Sequence, residues 1–80
     1  MIEFNKFAAG KVIKRLRKER NLSQEVFSGL ADIARSHLAM IEGGSKQANF
    51  ETIWHIANAF HMPPHELVRQ IELEVTTMQK

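Results

Sequence analysis

Four histidines are the residues of this 80-residue sequence best suited to metal binding or proton transfer. His61 and His65 are four positions apart, but Pro63 and Pro64 lie between them and prevent a shared helical face. The sequence has no cysteine, so disulfides and thiolate zinc sites cannot form. It also has no glycine-rich phosphate loop and no nucleophile with a neighbouring base. We therefore predict no metal site, no cofactor and no enzymatic activity.

A second group of candidate residues shares one face of a short predicted helix. At about 100° per residue, Ser36, Ala39 and Met40 cluster on the side opposite Leu38 and Ile41. Leu38 and Ile41 are expected to face the core. The opposite face is compact and carries no strong charge, so it can approach the edges of nucleic-acid bases closely.

The side chains on and beside this face suit the chemistry of base edges. Arg35 is the best candidate for bidentate hydrogen bonds to guanine, and Ser36 can hydrogen-bond to a base or a phosphate. Ala39 and Met40 can contact thymine methyl groups, although Met40 also fits a half-buried, gap-filling role. His37, on the other flank, is predicted to contact a phosphate at the edge of the groove.

Two helices joined by a tight turn are predicted to position these residues. Ser23 is expected to cap the first helix, because its hydroxyl can accept a hydrogen bond from the first turn. The second helix is predicted from about residue 34 to 42, ending at Gly43 and Gly44, since glycine readily adopts the left-handed conformation. Such a pair is a helix-turn-helix, whose second helix can lie in the DNA major groove. The predicted apolar positions of the first helix are Val26, Phe27 and Leu30.

Three further helices complete an all-α prediction. Apolar residues spaced at i, i+3, i+4 and i+7 predict helices over about residues 6–20, 50–60 and 64–77. Asn49 is expected to cap the second of these, and Pro64 suits the first position of the last.

The register of these residues resembles the phage repressor/Cro-type (XRE-like) helix-turn-helix family from about residue 9 to 68. The resemblance implies an all-α, five-helix, lambda-repressor-like DNA-binding domain with the helix-turn-helix at helices 2 and 3. It would form a single domain over residues 1–80, with its core at about 6–68 and its C-terminal helix extending to about 78. The residues that carry the resemblance are Gly10, Ile13, Leu16, Arg17, Leu22, Ser23, Gln24, Glu25, Ala31, Ile33, Leu38, Ile41, Glu42 and Gly44.

Contacts that orient the protein on DNA are expected outside the base-reading face. Gln24 begins a helix, so its amide and nearby backbone N–H groups can bind one phosphate, as the resemblance also implies. The resemblance further implies that Arg17, in the helix predicted over residues 6–20, pairs with Glu42 in the second helix of the helix-turn-helix, which we call the recognition helix. This pair would tie the two helices together. Direct phosphate contact by Arg17 is the alternative. Further phosphate candidates are Lys18, Lys46, Gln47 and Asn49.

Three positions depart from the family pattern. Asp32 replaces the usual turn glycine, and Ser28 replaces a small alanine where the two helices cross. Ala34 cannot cap the recognition helix as serine or threonine would, which costs about 1 kcal/mol.

The charge distribution also points toward a polyanion. Residues 1–20 hold seven Lys/Arg against two Glu, or +5, whereas residues 21–50 and 51–80 carry −1 and −2, giving the net charge of +2. This asymmetry fits a basic end near DNA and an acidic end away from it. An ordinary solvated helix face is the alternative.

The apolar stripe of the last helix predicts a homodimer. It continues beyond what a five-helix domain of this size needs to cover, and an uncovered apolar stripe commonly marks association. Packing against an N-terminal arm that contains Phe4 and Phe7 is the alternative. The predicted dimer-interface residues are Trp54, Leu67, Ile71, Val75 and Met78. For Trp54, which lies at the edge of its helix's apolar stripe, a place at the rim of the core is the alternative.

Together these features predict a sequence-specific transcriptional regulator, of the repressor or restriction-modification controller type, that binds double-stranded DNA at a palindromic operator as a homodimer. With no signal peptide and no apolar run near about 18 residues, a cytoplasmic, nucleoid-associated location is expected. The alternative is an antitoxin or other protein-interaction module that uses the same fold to hold a protein partner. The uncapped recognition helix and its uncharged face motivate that alternative.

Overall fold

A computed structural model describes residues 3–79. They form five helices: α1 (Ala8–Glu19), α2 (Gln24–Leu30), α3 (Arg35–Gly43), α4 (Phe50–Ala59) and α5 (Pro64–Met78). No β-strand occurs within residues 3–79. The all-α, five-helix prediction is confirmed, and the predicted helix ends differ from the observed ends by no more than two residues.

Side-chain caps begin two of the helices as expected. The hydroxyl of Ser23 accepts a hydrogen bond from the Val26 N–H at 3.1 Å, and Oδ1 of Asn49 accepts one from the Thr52 N–H at 2.8 Å. Ala34 precedes α3 and makes no side-chain cap. In α2 and α4 a side chain accepts a hydrogen bond from a backbone N–H group of the first turn, whereas in the recognition helix, α3, no side chain does so.

Left-handed residues end four of the helices. Asn21, Asp32 and His61 have φ near +57°, with values of 57°, 56° and 58°, and Gly44 has φ 86°. After each of them the next N–H returns to a carbonyl five residues earlier, as in the bond from the Leu22 N–H to the Arg17 carbonyl. This is the Schellman arrangement, which satisfies carbonyls at a helix end. One of these residues is Asp32, which takes the left-handed conformation at the position where the family pattern has glycine.

Phe27 is the aromatic centre of the core. It is fully buried and stacks on Phe60 with 4.4 Å between ring centroids. Val26 and Leu30, the other two predicted apolar positions of this helix, are 52% and 60% exposed and do not belong to the core. The seven-residue α2 turns Phe27 and Ser28 inward, and Val26 and Leu30 lie outside that narrow face.

The apolar stripe of α5 faces the inside of the molecule. Leu67 is fully buried, Val75 is 6% exposed and Ile71 packs against the core, because α5 lies against α1 and α4. An ion pair crosses the same contact, with Arg15 Nη1 2.9 Å from Glu74 Oε1. This corrects the expectation that Leu67 and Val75 line a dimer interface, since neither presents a surface to a second subunit. Ile71 and Met78 are partly buried.

The N-terminal arm does not cover that stripe either. Phe4 is 79% exposed, and Phe7 lies against Gly44 at the end of α3. The alternative in which this arm packs on α5 is therefore also wrong for the described residues, and α1 takes that place. Met1 and Ile2 lie outside the described part of the arm.

Candidate nucleic-acid interface

The outward face of α3 lies on the surface of the subunit. Arg35 and Ser36 are exposed, Met40 is 37% exposed and Ala39 is partly buried. Leu38, on the opposite side, is fully buried. The spacing argument therefore orients the helix correctly, and no other part of the described chain seals its outward face.

A buried ion pair holds α3 in this orientation. Arg17 Nε donates to Glu42 Oε2 at 2.7 Å and Nη2 donates to Oε1 at 2.8 Å, which is the bidentate geometry of a strong Arg–carboxylate pair. Nη1 of the same guanidinium donates to the Leu22 carbonyl at 2.7 Å. The pair implied by the family resemblance is present, and the guanidinium of Arg17 joins α1 to α3 and to the segment that precedes α2.

The charge on Glu42 is maintained by these partners. Burial alone would raise the pKa of Glu42, but hydrogen bonds from Arg17 and Gln24, together with the charge of Arg17, outweigh it and lower the pKa below 4.5. The hydrogen bond to Glu42 in turn raises the pKa of Arg17 above its ordinary value. Both groups are therefore ionised at neutral pH. The side chains of Arg17 and Glu42 are only 8% and 3% exposed. The charge of Arg17 is therefore neutralised by Glu42 inside the protein, which favours the structural role over direct phosphate contact.

Gln24 contributes to the same network from the start of α2. Its Nε2 donates one hydrogen bond to Glu42 Oε1 at 3.0 Å, which leaves the second amide hydrogen for another acceptor. Gln24 also lines an open depression together with Ser23 and Arg35. A phosphate contact by Gln24 therefore remains a prediction, now with a defined donor atom.

The other predicted phosphate contacts are less uniform in their surroundings. Lys18 and Lys46 are exposed, whereas His37 is partly buried. Gln47 uses Nε2 to donate to the carbonyl of Lys6 at 2.8 Å, and Asn49 uses Oδ1 to cap α4. Their contacts with DNA stay predictions. The cap at Asn49 was readable from the sequence, but no local pattern announces a bond between residues 41 positions apart.

A group of exposed apolar side chains lies where α4 meets α5. The rings of Phe50 and Trp54 meet edge to face with 5.7 Å between centroids. Phe50 is 71% exposed, Trp54 50% and Val68 47%. The sequence analysis indicated Trp54 as an interface residue but did not indicate Phe50. The i, i+4 spacing of Phe50 and Trp54, which places both on one helical face, is the signal that could have identified it. The aromatic patch, as we term it, consists of Phe50, Trp54, Pro64, His65 and Val68.

Comparison with known proteins decides the family. The sequence matches a family described as "Helix-turn-helix domain" over residues 10–73, which includes α2, the turn and α3. The chain belongs to the helix-turn-helix domain family. No curated protein matches it.

Two solved structures resemble this helix-turn-helix domain. The restriction-modification controller protein C.AhdI from Aeromonas hydrophila has 29% sequence identity and a TM-score of 0.73, and the match covers 78% of this chain and 94% of that one. The clp gene regulator ClgR from Corynebacterium glutamicum has a TM-score of 0.85 over 99% of this chain and 84% of its own. At 11% identity, that second likeness concerns the fold alone.

Two further properties of the helix-turn-helix domain concern membranes and metals. None of its helices within residues 3–79 combines the length and apolar character needed to cross a bilayer. In the same residues, histidine and acidic side chains form no group suited to holding a metal ion.

Proposed function

We propose that this helix-turn-helix protein regulates transcription by binding a palindromic operator as a homodimer, as a repressor or a restriction-modification controller. Its family, together with its likeness to a restriction-modification controller protein, makes it a DNA-binding transcriptional regulator rather than an enzyme. The operator, the homodimer and a cytoplasmic, nucleoid-associated location are the parts that we propose. The observation that carries the proposal is the exposed face of α3, held from behind by the Arg17–Glu42 pair.

The composition of that face suits major-groove recognition. Arg35 can donate two hydrogen bonds to guanine, while the small Ser36 and Ala39 allow the helix backbone to come close to the bases. Met40 supplies an apolar contact for a thymine methyl group. Gln24 and Lys46, at the start of α2 and after α3, would bind phosphates and set the orientation without reading sequence.

We propose a homodimer because one recognition helix contacts too few base pairs to specify an operator by itself. Two copies related by a twofold axis place their recognition helices in successive major grooves, about 34 Å apart. Linking two weak sites in this way raises both affinity and specificity.

We propose the aromatic patch as the dimer contact. Aromatic residues are enriched in the buried centres of interfaces, and Phe50 and Trp54 are exposed in the subunit. Trp54 thus keeps its predicted role, whereas Leu67 and Val75 are replaced by Phe50 and Val68.

Selection of bound duplexes from a random pool tests the proposal directly. We expect enrichment of an inverted repeat whose half-sites are about one helical turn apart. Binding should weaken steeply as salt rises, because phosphate contacts release counterions. A pool that shows no enrichment, or enriched sites without twofold symmetry, would contradict the proposed operator.

A protein-binding role is the second candidate, and the aromatic patch is the observation that favours it. An antitoxin-like protein would use Phe50 and Trp54 to hold a different protein instead of a second copy. Tight binding of a co-purified protein, with no duplex binding even at low salt, would favour this role over the first.

A further inference from the structure

The N-terminal arm, residues 3–7, is fastened to the loop that follows the recognition helix. Gln47 Nε2 donates to the carbonyl of Lys6 at 2.8 Å. The ring of Phe7 occupies the space in front of Gly44, where an added Cβ would lie 2.8 Å from its Cε1 atom. The arm is thus attached at two points to the segment that leaves α3.

The arm and the loop are each held in a defined conformation. The Phe7 N–H donates to Oδ1 of Asn5 at 2.9 Å, which turns the chain into α1. On the other side, the N–H groups of Ser45 and Lys46 both reach the Met40 carbonyl, at 3.0 Å and 3.3 Å. The attachment therefore joins two ordered segments, and it fixes where the Lys6 side chain starts.

This attachment places Lys6 beside the C-terminal end of α3. Gly43 is exposed and continues the face of Ser36 and Met40, and the loop begins directly after it. Lys6 is exposed, and its Nζ lies 5.2 Å from the centroid of the Phe7 ring. Lys46 is exposed on the same loop. Lys6 and Lys46 are therefore exposed cations on the two segments that meet at the C-terminal end of α3.

We propose that Lys6 binds a DNA phosphate next to the one bound by Lys46, and that Gln47 positions Lys6 for this contact through its bond to the arm. This inference rests on the proposed DNA-binding function and reassigns Gln47 from phosphate contact to positioning residue. The arm thereby becomes part of the DNA-binding surface, although it lies 41 residues before the loop in sequence.

The competing explanation is purely structural. An ammonium near the last carbonyls of α3 is attracted to the negative end of the helix dipole. In this explanation Lys6 stabilises the fold and does not bind DNA. The two explanations predict different measurements. A structural lysine changes the unfolding midpoint, whereas a phosphate-binding lysine changes the salt dependence of duplex binding.

The test is nonspecific binding to a random-sequence duplex of about three helical turns, measured between about 50 and 200 mM salt. The proteins compared are the full chain, Lys6→Gln, Lys6→Arg, Gln47→Ala and the double variant Lys6→Gln/Gln47→Ala. Each lost phosphate contact lowers the magnitude of the slope of log K against log [salt] by about 0.9. A variant that lacks one contact should therefore lose roughly threefold less affinity across this salt range than the unmodified chain. Lys6→Gln should show this loss for each arm that contacts the duplex, and Lys6→Arg should retain the original slope.

The Gln47→Ala variant separates positioning from direct contact. It should weaken duplex binding in the full chain and have no further effect once Lys6 is replaced, because Gln47 then has nothing to position. Additive losses would overturn the positioning role, and an unchanged slope in Lys6→Gln would overturn the inference while leaving the proposed function intact. Failure of the unmodified chain to bind any duplex at low salt would overturn both. An unchanged unfolding midpoint in Lys6→Gln is expected and excludes the structural explanation.

Discussion

Glu42 carries the charge at which three helices meet. It accepts hydrogen bonds from Arg17 on α1 and from Gln24 on α2 while belonging to α3 itself. A buried pair of this kind is costly to break from one side, because the remaining ion keeps its desolvation penalty without its partner. This one carboxylate therefore links the recognition helix to both α1 and α2.

Replacing Arg17 with methionine should destabilise the protein by about 3 kcal/mol, since Glu42 would remain as an unpaired buried charge. Urea unfolding measures the loss. Arg15→Met is the matched control, because Arg15 is 46% exposed in its pair with Glu74 and such pairs contribute about 0.2–1 kcal/mol. Equal losses in the two variants would show that burial of the Arg17 pair carries no special weight.

The lowered pKa of Glu42 also sets a pH dependence. A carboxyl whose pKa is lower in the folded state stabilises that state above its unfolded value of 4.5, and the contribution disappears as pH falls through the folded value. The stability advantage of the natural protein over Glu42→Gln should therefore be complete near neutral pH and shrink below pH 4.5. Unfolding free energies of both proteins across this range provide the measurement. A difference that does not vary with pH would mean that Glu42 acts only by its shape and hydrogen bonds.

Arg35 and Gln24 should separate sequence reading from positioning. Arg35→Ala is expected to cost about 1–3 kcal/mol of operator binding and to relax base preference at one position in each half-site. Gln24→Ala should instead weaken all duplexes by a similar factor, because a phosphate contact carries no base information. Binding to a panel of single-substitution operators distinguishes these outcomes. Uniform weakening by Arg35→Ala would place Arg35 on the DNA backbone.

The close approach of α1 and α3 depends on Gly10. A Cβ at this position would lie 2.9 Å from the Glu42 carbonyl oxygen and closer still to that of Ile41, both of them backbone atoms that cannot turn aside. The Arg17–Glu42 pair spans this same contact between helices. Any residue larger than glycine must push the recognition helix away from α1.

Gly10→Ala should therefore destabilise the fold by about 1–3 kcal/mol, as overpacking typically does, despite the better helix propensity of alanine. Gly29→Ala is the control, because the residue is helical and a Cβ added there would have no atom within 4 Å apart from its chain neighbours and the backbone of its own helix. That variant should gain about 0.5–1 kcal/mol. Thermal or urea unfolding of both variants measures the contrast, and a stable Gly10→Ala protein would show that the helices can separate at no cost.

Local features of these helices were predictable because they depend on neighbouring residues. The caps at Ser23 and Asn49 and the turn at Asp32 follow from side chains that bond to, or tolerate, the adjacent backbone. The outward direction of Ser36 and Met40 follows from helical geometry alone. These predictions needed no knowledge of which helix packs against which.

Tertiary placement was not predictable by the same reasoning. The stripe that contains Leu67 and Val75 fits α1 as well as it fits a second subunit, and its spacing alone does not distinguish them. The apolar positions of α2 did not reveal which of them is buried, because this helix is too short for them to define one face. The bond between Gln47 and Lys6 links distant segments, so only the folded chain reveals it.

The molecule as a whole separates its two proposed interfaces. The recognition face lies on α3, and the aromatic patch lies where α4 meets α5. A twofold axis through the patch would leave both recognition faces free, which is the arrangement that a palindrome requires.

Trp54→Glu should dissociate the proposed dimer, because it puts a charge at the centre of the aromatic patch. Leu73→Glu is the matched control, since Leu73 is 52% exposed on α5 but does not line the patch. Sedimentation should show the monomer mass for the first variant and the dimer mass for the second. A dimer that survives Trp54→Glu and is lost with Leu73→Glu would move the interface along α5.

The alanine that stands where α3 begins has a consequence for how the protein responds to heat. A helix whose first turn receives no side-chain bond opens at that end more readily than its capped neighbours. Arg35 lies in that turn. Warming should thus weaken the base contacts proposed for Arg35 at temperatures where the rest of the subunit is still folded.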